Sequence, residues 1–145
     1  MASKVVSMRF APEQMERLQR VARRMGRTGS EVAALFVEES MRRTEFAFID
    51  FRDSAAGRRA CITGSSLAVW EVIMVARSYE MDAAKTAEHL RWPLVKVKAA
   101  FNYFEAYPVE IQSALDDNDG YSVDDIKRLF PNARFVTIPG PSSED

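Results

Sequence analysis

The chain has 145 residues, 47% of them hydrophobic, with 20 Lys and Arg against 21 Asp and Glu. That length suits one domain or two small ones, and that apolar content supports a real core, which excludes a wholly disordered chain. The single cysteine, Cys61, excludes an intrachain disulfide, and neither a secretory apolar stretch nor a run of membrane-spanning length occurs, so the expectation is a cytosolic protein with no membrane partner. Charge is graded along the chain. Residues 1–44 hold nine Lys and Arg against five Asp and Glu (+4), residues 45–115 eight against nine (−1), and residues 116–145 three against seven (−4). A basic front suits a polyanion, and an acidic back suits a basic partner or a solvated tail.

In chain order, Lys4 to Phe10 alternates: Val6, Met8 and Phe10 share one face and Val5, Ser7 and Arg9 the other, as in a half-buried strand. Pro12 suits a first helical turn, and Met15, Leu18, Val21, Ala22 and Met25 recur at helical spacing before Gly26, a natural left-handed stop. A helix is therefore expected from about Pro12 to Met25. Ser30 is the expected N-cap of a second helix ending near Arg43, and the all-apolar run Val32 to Val37 predicts that this helix is interior. A lone strand has unpaired ladder groups, and a second copy of the chain is the simplest way to satisfy them.

Strand, helix, glycine corner and helix over about forty residues resemble the ribbon-helix-helix repressors of the Arc, MetJ and CopG type. The residues carrying the resemblance are Val6-Ser7-Met8-Arg9-Phe10, Met15-Glu16-Arg17-Leu18 and Met25 to Val32. It implies a homodimer, or a higher oligomer built from it, whose two strands enter the major groove of double-stranded DNA. Val5, Ser7 and Arg9 are then the base-contacting candidates, Arg9 being able to form a bidentate contact to guanine. Lys4, Thr28, Gly29 and Ser30 are the phosphate-contacting candidates, the last three through free amides at a helix N-terminus. Val6, Met8, Val32, Leu35 and Phe36 form the expected dimer core.

From Glu45 to Asp53 a second strand is expected, docked on the next unit of the chain. Ser54 to Gly57 makes a turn, and Arg59 to Thr63 returns as the second arm of a hairpin. Helices are expected next at Ala68 to Ser78, Asp82 to Leu90, Pro93 to Tyr107 and Pro108 to Leu115; the middle pair, joined by a short corner, has a helix-turn-helix outline. In the longer helix of that pair, Lys96, Lys98 and Asn102 could touch nucleic acid, while Val95, Val97 and Phe101 favour packing. The fold class expected is mostly α with short β, arranged as residues 1–44 (DNA-binding and dimerisation), 45–119 (hairpin plus helices) and 120–145 (a helix, a strand and a loose end).

Residues Phe48 to Leu115 also resemble the small uncharacterised domain that many VapB-type antitoxins carry. The resemblance rests on Gly57 to Val72, Val97 to Phe104 and Pro108 to Ile111, and departs from that domain's usual proline at Ala60, arginines at Thr63 and Ser66, and glycine near Glu80. Together the two resemblances imply a DNA-binding antitoxin of a type II toxin-antitoxin system, in the bacterial nucleoid, that autorepresses its operon. Its C-terminal part would neutralise a ribonuclease-like toxin, with Asp124, Asp125, Phe130, Phe135 and Val136 as partner-binding candidates. The alternative is a stand-alone ribbon-helix-helix repressor or nucleoid-associated protein whose second domain senses a ligand or oligomerises.

No enzyme, cofactor or metal is expected. His89 and Cys61 are single and read as structural, so no Cys/His set forms within one chain. Asp116 to Gly120 misaligns as a calcium loop, placing Leu115 and Ile126 where ligands belong, and reads as an acidic turn.

Overall fold

The computed structural model describes residues 2–55, 57–119, 128, 131 and 132. Its elements in order are α1 (Pro12–Met25), α2 (Gly29–Glu45), β1 (Ile49–Ser54), β2 (Gly57–Ile62), α3 (Val69–Ser78), α4 (Ala83–Leu90), α5 (Leu94–Ala106) and α6 (Pro108–Asp119). The described fold is thus mostly helical with one short antiparallel hairpin.

Local chemistry explains most boundaries. Pro12 opens α1, where the missing N–H is not needed, and the Gln14 side chain accepts from the Ala11 N–H at 3.0 Å. Gly26 ends the helix at φ 65, the left-handed conformation that a Cβ disfavours. The Asp82 carboxylate caps α4 by accepting from the Lys85 N–H at 2.9 Å. Glu80 and Met81 both take left-handed conformations, at φ 53 and 61, between α3 and α4.

β1 and β2 pair with Ile49 opposite Ile62, Phe51 opposite Ala60 and Ser54 opposite Gly57. Alternation puts Ile49, Ala60 and Ile62 into a core with Val69, Val72 and Ile73 of α3, Ala100 and Tyr103 of α5, and Ile111 and Leu115 of α6. α3 is the central helix, packed against β2, α4, α5 and α6. No described helix is long and apolar enough to cross a membrane.

Several expectations are corrected. The strand expected over Lys4 to Phe10 is one that pairs with a second copy, and in the single chain residues 2–11 belong to no helix or strand. The cap of α2 is Thr28, not Ser30; the Thr28 hydroxyl accepts from the Glu31 N–H at 3.2 Å, and Ser30 lies inside the first turn. Nor is α2 interior throughout, since Val32 is fully buried while Phe36 and Val37 are exposed. One flank of the helix packs on the hairpin, and on the other no partner among the described residues buries Phe36, Val37 and Met41. The second strand begins at Ile49 rather than Glu45, because α2 runs through Glu45 and Phe48 turns the chain at φ 60. Asp116 to Asp119 is the last turn of α6 and not an acidic turn.

Candidate nucleic-acid interface

The base-contacting candidates Val5, Ser7 and Arg9 and the phosphate candidate Lys4 all lie exposed on the arm that precedes α1. The α1–α2 corner places Thr28, Gly29 and Ser30 at one helix start. The Thr28 oxygen is committed to capping, while the amides of Gly29 and Ser30 make no backbone hydrogen bond among the described residues, as first-turn amides do not. α1 contributes Arg17, Arg20, Arg23 and Arg24, with Arg27 just beyond it, all exposed. Among these only Arg20 has an ion pair within the described residues, a solvent-exposed one to Glu16 at 3.4 Å. Such pairs contribute little, so the positive charge of this face is available to an external anion.

The five dimer-core candidates are not gathered into a core by one chain. Val32 is buried against its own neighbours and Leu35 is half-buried, whereas Val6, Met8 and Phe36 remain exposed at 84%, 55% and 37%. Val37 and Met41 extend the exposed apolar strip along α2. The partner-binding candidates Asp124, Asp125, Phe130, Phe135 and Val136 lie outside the described residues.

The other flank of α2 is tied to the second half of the chain by charges that sequence reasoning missed. The Glu39 side chain, 3% exposed, receives three hydrogen bonds from the Arg58 guanidinium on β2, from Nε at 2.9 and 3.2 Å and from Nη2 at 2.8 Å. Those bonds, against a desolvation cost, hold Arg58 above its ordinary pKa. One turn on, Arg42 Nη1 donates to the Tyr103 hydroxyl at 2.7 Å and to Glu110 Oε1 at 2.9 Å, and the Tyr103 hydroxyl donates to Glu110 Oε2. The three groups close a ring linking α2, α5 and α6.

Burial disfavours the charged form of Arg42, but its hydrogen bonds to Glu110, Glu38 and Tyr103 outweigh that and raise its pKa. Burial, then the bond to Glu110, pushes the Tyr103 phenol well above its usual range. The Arg42 guanidinium also stacks 3.8 Å from the Tyr107 ring centre. Glu38, Glu39, Arg42 and Arg43 interrupt the apolar sequence of α2, and that interruption was the available signal. The partners that tie Glu39 and Arg42 to the second half of the chain lie 19 to 68 residues away, beyond the reach of any local pattern.

His89 accepts from or donates to the Tyr79 hydroxyl at 2.7 Å, and Cys61 is buried with its thiol pKa raised by that burial. No cluster of metal-binding side chains occurs among the described residues. A cavity of about 760 Å³ opens between the hairpin and α6, with Arg52, Arg59, Cys61, Trp70, Glu71 and Asp117 on its walls.

Compared with models of known families, with curated proteins and with solved structures, the chain matches none.

Proposed function

We propose that residues 4–43 of two copies pair into a ribbon-helix-helix unit that binds double-stranded DNA, and that the protein is the self-repressing antitoxin of a toxin pair. The observation that carries the DNA-binding reading is the coincidence, on one segment of net charge +4, of an exposed arm of alternating side chains and an exposed apolar strip on α2. Burying Val6, Met8, Phe36 and Val37 against a second copy contributes on the order of 1.5–3 kcal/mol for each side chain fully removed from water. The same pairing satisfies the arm's backbone groups and aims Val5, Ser7 and Arg9 away from the buried face. Sedimentation equilibrium together with footprinting on the DNA flanking its own gene tests this. A dimer whose Arg9→Ala variant loses about 1–3 kcal/mol of operator affinity is expected; a folded monomer at micromolar concentration, or a footprint indifferent to Arg9→Ala, overturns it.

The antitoxin role is supported by the resemblance over Phe48 to Leu115 and by the acidic residues after Leu115. Truncation after Asp119 tests it, with loss of toxin neutralisation expected and DNA binding retained. Unaltered neutralisation removes the acidic segment from that role. A second reading, a repressor whose second domain senses a small ligand, is favoured by the cavity beside Trp70, Arg52 and Arg59. Under that reading operator affinity changes on adding a metabolite extract, and no toxin co-purifies.

A further inference from the structure

We propose that the outward face of α5 packs on the same face of a second copy of this chain, the two helices running antiparallel about a two-fold axis between Phe101 and Asn102. Helical phase sorts the residues of α5. At about 100° per residue, Phe101, Leu94, Glu105, Lys98, Asn102 and Val95 fall within one arc of roughly 120°. Phe101 is half-buried and the other five are exposed, Leu94 at 40% and Val95 at 54%. Val97, Ala99, Ala100 and Tyr103 occupy the opposite arc and are buried against the rest of the fold. Lys96 also lies off the outward face, and its Nζ donates to the Thr63 carbonyl at 3.4 Å. Packing within the chain thus covers one side of α5 and leaves the other uncovered among the described residues.

The charges on the uncovered side identify a second copy as its occupant. Lys98 and Glu105 stand two turns apart, about 10 Å along the axis, and neither makes an ion pair among the described residues. A face carrying one cation and one anion does not match the uniformly anionic surface of a duplex. It does match itself. A two-fold axis midway between the two residues sets Lys98 of each copy opposite Glu105 of the other, so that one register makes both ion pairs. The same axis brings Leu94 and Val95 of each copy to the end of the other's α5. There Pro108 turns the chain into α6, and Val109 is 81% exposed beside Phe104. Apolar side chains at both ends supply the attraction, while the charges between them fix direction and register. This contact is separate from the pairing of residues 4–43 and does not depend on it; where both form, it joins one pair of chains to the next.

The test measures self-association of the full-length chain by sedimentation equilibrium. All samples carry Val37→Asp, an exposed position on α2, so that pairing through residues 4–43 is weakened and the α5 contact is read by itself. This parent chain is expected to dimerise at high micromolar concentration. Lys98→Glu and Glu105→Lys each set like charges opposite one another twice, and each is expected to weaken the dimer about tenfold. The double variant exchanges the two charges and is expected to associate as the parent does. A mixture of the two single variants is expected to form the mixed dimer, which neither variant can replace with itself. Circular dichroism identical to the parent's shows that these exposed substitutions leave the fold intact. A parent that stays monomeric, single variants that associate as well as the parent, or a double variant no better than the singles overturns the proposal. So does a Lys98→Ala variant that loses DNA affinity with self-association unchanged, which would assign the face to DNA.

Discussion

At the residue scale the pair Glu39–Arg58 has the largest consequence. A carboxylate 3% exposed is tolerated because the Arg58 guanidinium grips both of its oxygens, and removing Arg58 leaves that buried charge only a longer, 3.8 Å pair to the half-exposed Arg43. Arg58→Met is therefore expected to cost about 3–5 kcal/mol in urea unfolding. Glu39→Gln keeps a neutral acceptor for Arg58 and is expected to cost less; equal losses would show that the charge itself is not what matters. Asp50 makes a pH-dependent contribution. The hydrogen bond from Arg43 Nε at 2.8 Å, then that from the Phe51 amide, hold its pKa below the ordinary aspartate value. A depressed carboxylate stabilises the fold above the unfolded pKa, near 4, and that contribution is lost as pH falls through the folded value. Asp50→Asn is expected to flatten the acid limb of the stability profile below about pH 4 and leave its slope near pH 7 unchanged.

At the scale of elements, α2 is the hinge of the molecule's organisation. One flank is bound to the hairpin, α5 and α6 through Glu39 and Arg42, and the other presents Phe36, Val37 and Met41 to solvent. Arg42→Ala breaks the ring with Tyr103 and Glu110 and the stack on Tyr107; because the Glu110 and Glu38 side chains remain partly solvated, the expected loss is about 1–3 kcal/mol. Arg42→Lys is not expected to restore it, since a point charge cannot serve two acceptors and a ring face as a planar fork does. Equal thermal stability of the Lys variant and wild type would show that the planar fork is dispensable. At the end of α1, an added Cβ at Gly26 meets nothing within 4 Å, so the cost of Gly26→Ala is backbone strain alone, roughly 1–2 kcal/mol.

At the scale of the whole molecule, the exposed arm and α2 strip predict stability that depends on concentration. If two copies bury Val6, Met8, Phe36 and Val37 between them, the melting temperature rises with protein concentration, as mass action requires. Val37→Asp is expected to remove that dependence by setting a charge within the strip. A melting temperature constant over a hundredfold dilution would count against assembly through residues 4–43. The net charge of −1 conceals a dipolar distribution, +4 in residues 1–44 and −4 in residues 116–145. DNA affinity is therefore expected to fall steeply with salt even though the whole chain is slightly acidic.

The sequence by itself determined the helices, because their signals are local: Pro12 and Gly26 bracket α1, Asp82 starts α4, and the apolar period of α3 names its own buried face, whereas in α5 Val95, expected to pack, is 54% exposed. It also determined the hairpin, through turn residues at Ser54 to Gly57 between two short apolar runs. It placed the cap of α2 two residues late, since Thr28 and Ser30 offer the same hydroxyl chemistry and only backbone geometry separates them. Tertiary structure alone decided which flank of α2 is covered, that Glu39 is buried while Val37 is not, and that Tyr103 stands between Arg42 and Glu110. The reason is one of range. Caps and periodicity act across three or four residues, whereas burying a charge depends on a partner such as Arg58, brought within 2.8 Å only once the hairpin has folded against the helix.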